Sequence, residues 1–412
     1  MMRTNRRTFL GQSSVVTLGA MPALACRGAS TAALPKSNRD AKVLVVIQMS
    51  GGNDGINTVV PYSDEGYAKH RNTLRLPVDR LIKLDDSAAL HPSMRSAADL
   101  FADGRLAIVQ GVGYPNPSRS HDISMAVWHS AEIGDENTLR PHGWLGKAMD
   151  SRREQAGADV SNAPDMVLLG DESQPLAIQS RRSIAVALSN LTDLRLRGPR
   201  WDAAEQGTPN SASNSLENFV GQTMQNARAT ASALEQTIEQ SHRGGVVYPS
   251  TQLGQRMQAI STLLKCGFQT PVYYAIQSGY DTHAAQMPTH AFLLREFSDA
   301  IQAFLKDLDS SGLADQVCVL GFSEFGRRVT ENGSAGTDHG TAGPVFIAGN
   351  QVRPGLVGAQ PKLLDLDGGD LRMGIDFRDV YQRITANWLG VNQDRASEDS
   401  RHSLQIFKGS LS

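Results

Sequence analysis

Short runs of aliphatic and β-branched residues alternate with segments of helical periodicity along most of the chain. Such runs predict buried strands at residues 42–48, 106–110, 272–277, 317–321 and 345–348. Helical patterns lie between them, near residues 92–101, 120–130, 289–308 and 377–389. Strands that alternate with helices are typical of an α/β fold. We therefore predict a mainly parallel central sheet that is flanked by helices.

The middle of the chain departs from this alternation. It holds two short strand-like pieces, Met166–Leu169 and Ile184–Leu188, then a polar stretch and a long helical pattern at residues 215–241. We interpret residues 158–245 as an insertion or cap on the sheet. The rest of residues 41–412 is expected to form one α/β domain with it.

The N-terminus has the pattern of an export signal. Residues 6–10 read RRTFL and precede a short, weakly apolar stretch, as in a twin-arginine signal peptide. We predict this signal peptide at residues 1–25 and a flexible leader, rich in small residues, at residues 26–40. The protein is therefore expected to be periplasmic or associated with the cell envelope.

The processing site leaves two alternatives open. Residues 23–25 read ALA, which fits ordinary signal cleavage. The next residue is Cys26, which would permit a lipid anchor, although the residue three positions before it is Ala23 rather than the preferred leucine. The sequence thus allows a soluble product or a lipid-anchored one.

Charge and hydropathy exclude two kinds of partner. The chain has 40 basic and 42 acidic side chains, and residues 1–25 hold three of the basic ones and no acid. The mature chain then carries 37 basic against 42 acidic groups, a net charge near −5, which argues against nucleic acid binding. After the signal, no stretch is long and apolar enough for a membrane helix.

Polar clusters lie next to the predicted strands. They are Asn53-Asp54, residues 118–122 (SRSHD), residues 279–283 (GYDTH), residues 323–328 (SEFGRR) and residues 337–340 (TDHG). In open α/β sheets, ligands bind beyond the carboxyl ends of the strands. Carboxylates and imidazoles gathered there suit a divalent metal, and a serine at a helix start can be a nucleophile or contact an anion.

Each cluster also has a purely structural explanation. Asp54 lies in a glycine-rich turn sequence, and Ser120 could simply cap a helix. Asp281 and His283 could be a hydrogen-bonded loop pair, and residues 338–340 (DHG) could form a turn. Arg327 and Arg328 could be solvated. A serine-hydrolase elbow on Ser323 is not expected, because Gly326 lies one residue late for it.

Four stretches together carry a family resemblance. They are residues 49–62 (MSGGNDGINTVVPY), 113–122 (GYPNPSRSHD), 279–286 (GYDTHAAQ) and 323–340 (SEFGRRVTENGSAGTDHG). The chain resembles an uncharacterised bacterial family, a domain of unknown function that is often exported by twin-arginine signals. That family has the fold of the alkaline phosphatase superfamily, which includes phosphatases and sulfatases.

The resemblance implies roles for individual residues. Asp54, Asp338 and His339 would bind one divalent metal, and Asp281 and His283 would belong to a second. Ser120 would take the place of the nucleophile, and Glu324 could substitute as an oxygen ligand. Candidate contacts to the substrate anion are Asn53, Arg119 and Arg327. The metal could be zinc, manganese, magnesium or calcium.

The chain also departs from the superfamily pattern, which leaves two functions open. Asp281 and His283 are two residues apart rather than four, and the only histidine after His339 is His402 in the polar tail. One hypothesis is an exported, metal-dependent hydrolase of phosphate or sulfate esters, with a small or polymeric substrate. The alternative is a degenerate, non-catalytic member that binds a metal, a ligand or an envelope partner.

Overall fold

The computed structural model describes residues 41–156, 164–189, 245–268, 270–391 and 404–409. The predicted signal peptide at residues 1–25, the leader, Cys26 and the helical pattern at residues 215–241 lie outside the described residues. They remain predictions.

The strands and helices follow in chain order. The strands are β1 (Val43–Ser50), β2 (Val59–Val60), β3 (Ile82–Lys83), β4 (Ala89–Leu90), β5 (Leu106–Gly113), β6 (Met166–Leu169), β7 (Ala185–Leu188), β8 (Val272–Ser278), β9 (Val317–Phe322), β10 (Gly343–Ala348), β11 (Gly355–Val357), β12 (Leu366–Asp367), β13 (Asp370–Leu371) and β14 (Ile375–Asp376). The α-helices are α1 (Gly55–Thr58), α2 (Glu65–His70), α3 (Arg95–Ala102), α4 (His121–Ser130), α5 (Trp144–Ala156), α6 (Gln252–Lys265), α7 (Gln286–Asp309) and α8 (Phe377–Arg383). A π-helix at Ile384–Trp388 continues α8, and short 3₁₀ helices lie at Val78–Arg80, Leu176–Ile178 and Ala314–Gln316.

A nine-stranded sheet forms the centre of the molecule. Its strand order is β11-β5-β10-β9-β1-β8-β6-β7, and β14 also pairs with β5. All pairings are parallel except those of β10, which is antiparallel to both β5 and β9. The predicted α/β fold with a mainly parallel sheet flanked by helices is confirmed.

The central strands are apolar throughout because both faces of the sheet are covered. In β1, Val45 and Ile47 point into one core, whereas Leu44 and Val46 point into another. The first core contains side chains of α3, α6 and α7, and the second contains side chains of α4, α5 and α8. Burial on both faces explains why the strand reads as a continuous β-branched run rather than an alternation.

The direction of β10 decides where the polar loops meet. The carboxyl ends of β1, β5, β8 and β9 share one edge of the sheet, because these strands run the same way. Since β10 runs the opposite way, its amino end at Gly343 lies at that same edge. The loop with Asp338 and His339 therefore joins the loops that follow the other strands.

Within the region that we interpreted as an insertion or cap, two short segments belong to the central sheet. The two strand-like pieces, at Met166–Leu169 and Ala185–Leu188, are strands of the central sheet, where β6 pairs in parallel with β8 and β7 with β6. They extend the sheet rather than cover it. A short apolar run can form a strand of the central sheet or of a separate cap, so only the strand with which it pairs distinguishes the two.

Within the described ranges, no helix is long and apolar enough to cross a membrane.

Candidate metal centre

Three loops at this edge bring together side chains that are suited to bind a metal. His121 begins α4, Asp281 follows β8 and His339 precedes β10. One ligand atom from each lies within 4.8 Å of the other two. His283 adds a further imidazole, with its Nε2 atom 3.1 Å from Asp281 Oδ1 and 2.9 Å from His339 Nε2. We call these four residues the histidine cluster.

The spacing within the histidine cluster matches a coordination shell. Asp281 Oδ1 lies 3.2 Å from His339 Nε2 and 3.5 Å from His121 Nε2. Ligands about 2.0–2.2 Å from a zinc ion at tetrahedral angles are separated by about 3.3–3.6 Å. One divalent ion among these atoms would need only small movements of the side chains.

Two histidines are held with Nε2 directed into the cluster. His121 Nδ1 lies 2.9 Å from Oε1 of Glu324, which is buried, and His339 Nδ1 lies 2.8 Å from the carbonyl oxygen of Arg119. Because both partners accept hydrogen bonds, we assign the proton of each ring to Nδ1. The lone pair of each Nε2 is then free to bind a metal, an arrangement common among metal-binding histidines.

One atom tests directly whether these residues fit a metal. His121 Nε2 is buried and, among the described residues, has no hydrogen-bond partner. A buried polar atom without a partner is costly unless another group satisfies it. A divalent cation beside His121, His339 and Asp281 would satisfy this nitrogen, so these residues fit a metal ion. Imidazole nitrogen is a better ligand for zinc than for calcium or magnesium.

Electrostatics support a charged acidic ligand. Burial alone would raise the pKa of Asp281, but the hydrogen bond and positive charge of Arg327 do most to outweigh it, and that pKa is lowered to about 2. A hydrogen bond with Glu324 is the largest influence on His121 and raises its pKa. Binding a metal through His121 would displace the added proton, so metal affinity falls at acidic pH.

Arg327 holds the Asp281 carboxylate in place. Its guanidinium is buried and donates to Asp281 Oδ1 at 2.7 Å. Its other bonds go to His283 Nε2, at 3.4 Å, and to backbone carbonyl oxygens at Gly51 and Gly52 after β1, at Tyr280, and at Thr337. With its donors used in this way, Arg327 positions three loops; it does not face solvent as an anion contact.

Two glycines allow the loops to approach closely. Gly51 has a φ of 120°, and a Cβ atom there would lie 2.4 Å from the backbone nitrogen of Asp281. A Cβ atom on Gly336 would lie 2.2 Å from the carbonyl carbon of His283. Larger residues at either position would separate the loops that carry the cluster.

Ser120 occupies the N-cap position of α4, directly before His121. Its backbone is extended, and its side chain makes no capping hydrogen bond. The residue is exposed. The structural alternative, a hydroxyl committed to capping, is therefore not what the geometry shows.

Asp54 does not join the histidine cluster. It is fully buried, and its two oxygens accept bonds from Arg71 at 2.6 and 2.9 Å. Oδ2 also accepts a bond of 2.6 Å from Gln286. Burial would raise the pKa of Asp54, but the Arg71 charge outweighs it and the pKa is lowered. With its oxygens engaged by a cation, Asp54 is placed as a structural anion rather than a metal ligand.

Three further candidates do not enter the cluster. Asp338 Oδ1 lies 3.3 Å from His283 Nδ1 and accepts from Asn332 at 3.1 Å; the Asn332 bond is the main reason that the pKa of Asp338 is lowered. Glu324 contacts His121 and accepts from the backbone of Gly51. Asn53 is buried, with its Oδ1 bonded to Thr58 and His290. These side chains orient their neighbours.

Two arginines contact the loop of Asp338 and His339 through their backbones and pair with Asp370 through their side chains. Arg119, with 47% of its side chain exposed, forms a salt bridge with the buried Asp370 of β13. Arg328 Nε lies 3.8 Å from Asp370 Oδ1. The backbone nitrogen of Arg328 donates to the carbonyl oxygen of Asp338. We call Arg119 and Arg328 the arginine rim. Of the two arginines predicted to contact an anion, Arg119 thus has a suitable place and Arg327 does not.

The sequence interpretation missed two important residues. His121 directly follows Ser120, but the family resemblance implies a role only for the serine. A histidine at the start of a helix after a central strand is a signal that could have found it. Arg71 gives no comparable signal, because its pairing with Asp54 depends on how residues 61–90 fold back.

Comparisons with known proteins give the following similarities. The chain is similar to the C-terminal periplasmic domain of EcEptC from Escherichia coli in complex with zinc, at 10% identity and a TM-score of 0.41, covering 89% of this chain and 88% of that one. It is similar to the PsFucS1 sulfatase from Pseudoalteromonas, at 11% identity and a TM-score of 0.35, covering 86% and 69%. It is also similar to a protein of the alkaline phosphatase superfamily from Vibrio parahaemolyticus, at 11% identity and a TM-score of 0.34, covering 84% and 66%.

The sequence itself gives a single assignment. No curated protein matches it significantly. Residues 41–397 match a family of proteins that spans nearly the whole of the predicted domain. The chain therefore belongs to the family described as "Protein of unknown function (DUF1501)".

Proposed function

We propose that the protein is a metal-dependent hydrolase of phosphate or sulfate esters. The observation that carries the proposal is the histidine cluster, in which His121 and His339 direct Nε2 toward Asp281 while their Nδ1 atoms are held by acceptors. A divalent ion bound there would stabilise negative charge on ester oxygens and lower the pKa of a nearby hydroxyl.

Ser120 is the proposed nucleophile. It precedes the ligand His121, it is exposed, and its hydroxyl is not used to cap α4. The helix N-terminus adds backbone N–H groups and a favourable dipole for an anionic substrate group. The role of Ser120 is to form a bond from Oγ to the phosphorus or sulfur atom as the bond to the leaving ester oxygen breaks. The hydroxyl proton passes through solvent to the departing alcohol, and a water molecule then releases phosphate or sulfate and restores the Ser120 hydroxyl.

The arginine rim supports an anionic substrate. Arg119 keeps its guanidinium partly exposed, and its own carbonyl oxygen orients His339. A planar guanidinium matches the oxygens of phosphate or sulfate. The salt bridge to Asp370 fixes one edge of Arg119, so the group is positioned before substrate binds.

The experiment is an assay of zinc- or manganese-loaded protein against an aryl phosphate, an aryl phosphodiester and an aryl sulfate. We expect Ser120→Ala to lower kcat by at least about 10³-fold while zinc affinity is kept. Arg119→Ala should lower kcat/KM by about 10- to 100-fold, the value of hydrogen bonds to a charged group. Activity of Ser120→Ala equal to wild type would exclude this mechanism.

A second candidate function is a non-catalytic, metal-binding envelope protein. It is favoured by the salt bridge between Arg327 and Asp281, since that guanidinium already neutralises the acidic ligand. This candidate predicts metal binding without turnover of any of the three esters. Hydrolysis that depends on Ser120 would exclude it.

We further propose export by the twin-arginine route, which the RRTFL sequence at residues 6–10 supports. Because the histidine cluster joins residues 121 to 339, it forms only after the chain has folded, and we expect the metal to be bound before export. The double change Arg6→Lys with Arg7→Lys should leave folded, metal-bound protein inside the cell. Metal-free or unfolded protein there would contradict this.

A further inference from the structure

A chain of buried hydrogen bonds connects Asp54 to the loops of the histidine cluster. Gln286, the first residue of α7, is fully buried and lies between Asp54 and two threonines. Its Nε2 donates to Asp54 Oδ2 at 2.6 Å. Its Oε1 accepts from the hydroxyls of Thr282 at 3.0 Å and Thr337 at 2.6 Å.

The two threonines are neighbours of the proposed metal ligands. Thr282 lies between Asp281 and His283, and Thr337 lies two residues before His339. Both are buried, and the backbone nitrogen of Thr337 also donates to the carbonyl of Thr282. One amide oxygen therefore fixes the two loops that supply three members of the histidine cluster.

The orientation of Gln286 is set by chemistry. An ionised carboxylate can only accept hydrogen bonds, so the amide nitrogen of Gln286 must face Asp54. Its oxygen must then face the threonines. Asp54 is itself immobilised by Arg71, whose guanidinium is fully buried and also donates to the carbonyls of Arg328 and Val329. The fixed end of this hydrogen-bond chain is thus a buried ion pair.

The backbone around Gln286 is specialised for this placement. Ala285, immediately before α7, has a φ of 44°, and Ala335 has a φ of 52°. Both are left-handed conformations that alanine rarely adopts. The backbone nitrogens of residues 285 and 286 donate to the carbonyls of Ser334 and Ala335. The strained junction brings Gln286 against the loop of Thr337 and His339.

We propose that Gln286 is a positioning residue that holds the two ligand loops in register by tying Thr282 and Thr337 to the Asp54–Arg71 pair. The inference rests on the proposed metal centre. It gives Asp54 a role in that centre without contact to the metal, and it assigns Gln286, Thr282 and Thr337 a shared task. Residues that orient metal ligands typically change metal affinity by about 10- to 100-fold when they are replaced.

The test compares Gln286→Leu with Gln48→Leu. Gln48 is a matched control, since it is also buried and its Oε1 also has two side-chain partners, Tyr274 and His129, on the other side of β1. Zinc affinity is measured by competition with a fluorescent chelator. We expect Gln286→Leu to weaken it at least about tenfold and Gln48→Leu to leave it within about twofold. Equal affinities of both variants and wild type would overturn the proposal.

A second readout does not depend on the metal. Hydrogen exchange of metal-free protein is followed by mass spectrometry in peptides that cover residues 279–285 and 335–341. We expect Gln286→Leu to speed exchange in both peptides by about tenfold, because the loops lose a shared buried acceptor. Gln48→Leu should leave both unchanged. Unchanged exchange in Gln286→Leu would overturn the positioning role even if zinc still binds.

A milder pair of variants covers the case in which Gln286→Leu does not fold. Thr337→Val removes one hydroxyl from Gln286, whereas Thr341→Val removes one in the same loop that donates instead to the carbonyl of Leu371. Only Thr337→Val should weaken zinc binding and speed exchange at residues 335–341; equal effects of both would overturn the proposal. Wild-type protein that binds no zinc, with the exchange difference intact, would refute the metal centre and leave the positioning role standing.

Discussion

Asp54 and Asp281 show how similar sequence contexts lead to different roles. Each follows a central strand within a glycine-containing loop, and each contacts a buried arginine. Asp54 is fully buried, and Arg71 bonds to both of its oxygens. Asp281 has half of its side chain exposed, and its Oδ1 faces three imidazoles. The extent to which the carboxylate is already satisfied separates the structural anion, Asp54, from the proposed metal ligand, Asp281.

The largest expected effect concerns the buried pair of Asp54 and Arg71. Arg71→Met would leave the Asp54 carboxylate buried without its cation, and breaking such a pair from one side costs about 3–5 kcal/mol. Asp281→Asn should cost less, because solvent reaches that side chain and Arg327 keeps its backbone acceptors. Free energies of unfolding from urea titration measure both. A loss for Arg71→Met no larger than that for Asp281→Asn would remove the distinction.

The sequence predicted the central strands and the sheet edge at which this site lies, but it did not predict which residues form the histidine cluster. The runs at β1, β5, β8, β9 and β10 are apolar enough to be recognised, and strand ends converge by topology. The loops of Asp281, His283 and His339 were therefore expected at one edge, although these residues were assigned to two metals rather than to one cluster. The fate of Asp54 depends on Arg71, which spacing does not reveal. The placement of β6 and β7 depends on pairing partners, which a four-residue run does not specify.

A smaller effect is expected when His121, in the histidine cluster, loses the partner that orients it. Glu324→Gln removes the charge that accepts the hydrogen bond of His121 Nδ1, so His121 loses part of its orientation. We expect zinc affinity to fall by about tenfold. Glu331→Gln is a matched control, because Glu331 accepts from backbone nitrogens of Thr73 and Leu74. Isothermal titration calorimetry measures both variants, and equal affinities would show that Glu324 does not support the site.

The smallest effect concerns how stability depends on pH, through the histidine His290 in the region of Asp54. His290, buried beside Asn53, has its pKa lowered to about 4, chiefly by burial. The unfolded chain then binds more protons than the folded one between about pH 6.5 and pH 4, so stability falls as the pH falls through this window. Between pH 6.5 and 5, His290→Gln should lose about 1–2 kcal/mol less stability than wild type. Parallel pH profiles of unfolding free energy would contradict this assignment.

The metal content of the purified protein tests the central claim most directly. Wild-type protein is loaded with zinc, desalted and measured by elemental mass spectrometry beside the double variant His121→Ala with His339→Ala. The histidine cluster predicts one tightly held ion per wild-type chain and close to none in the folded double variant. A wild-type chain without bound metal, or a double variant that retains the same amount, would contradict the account.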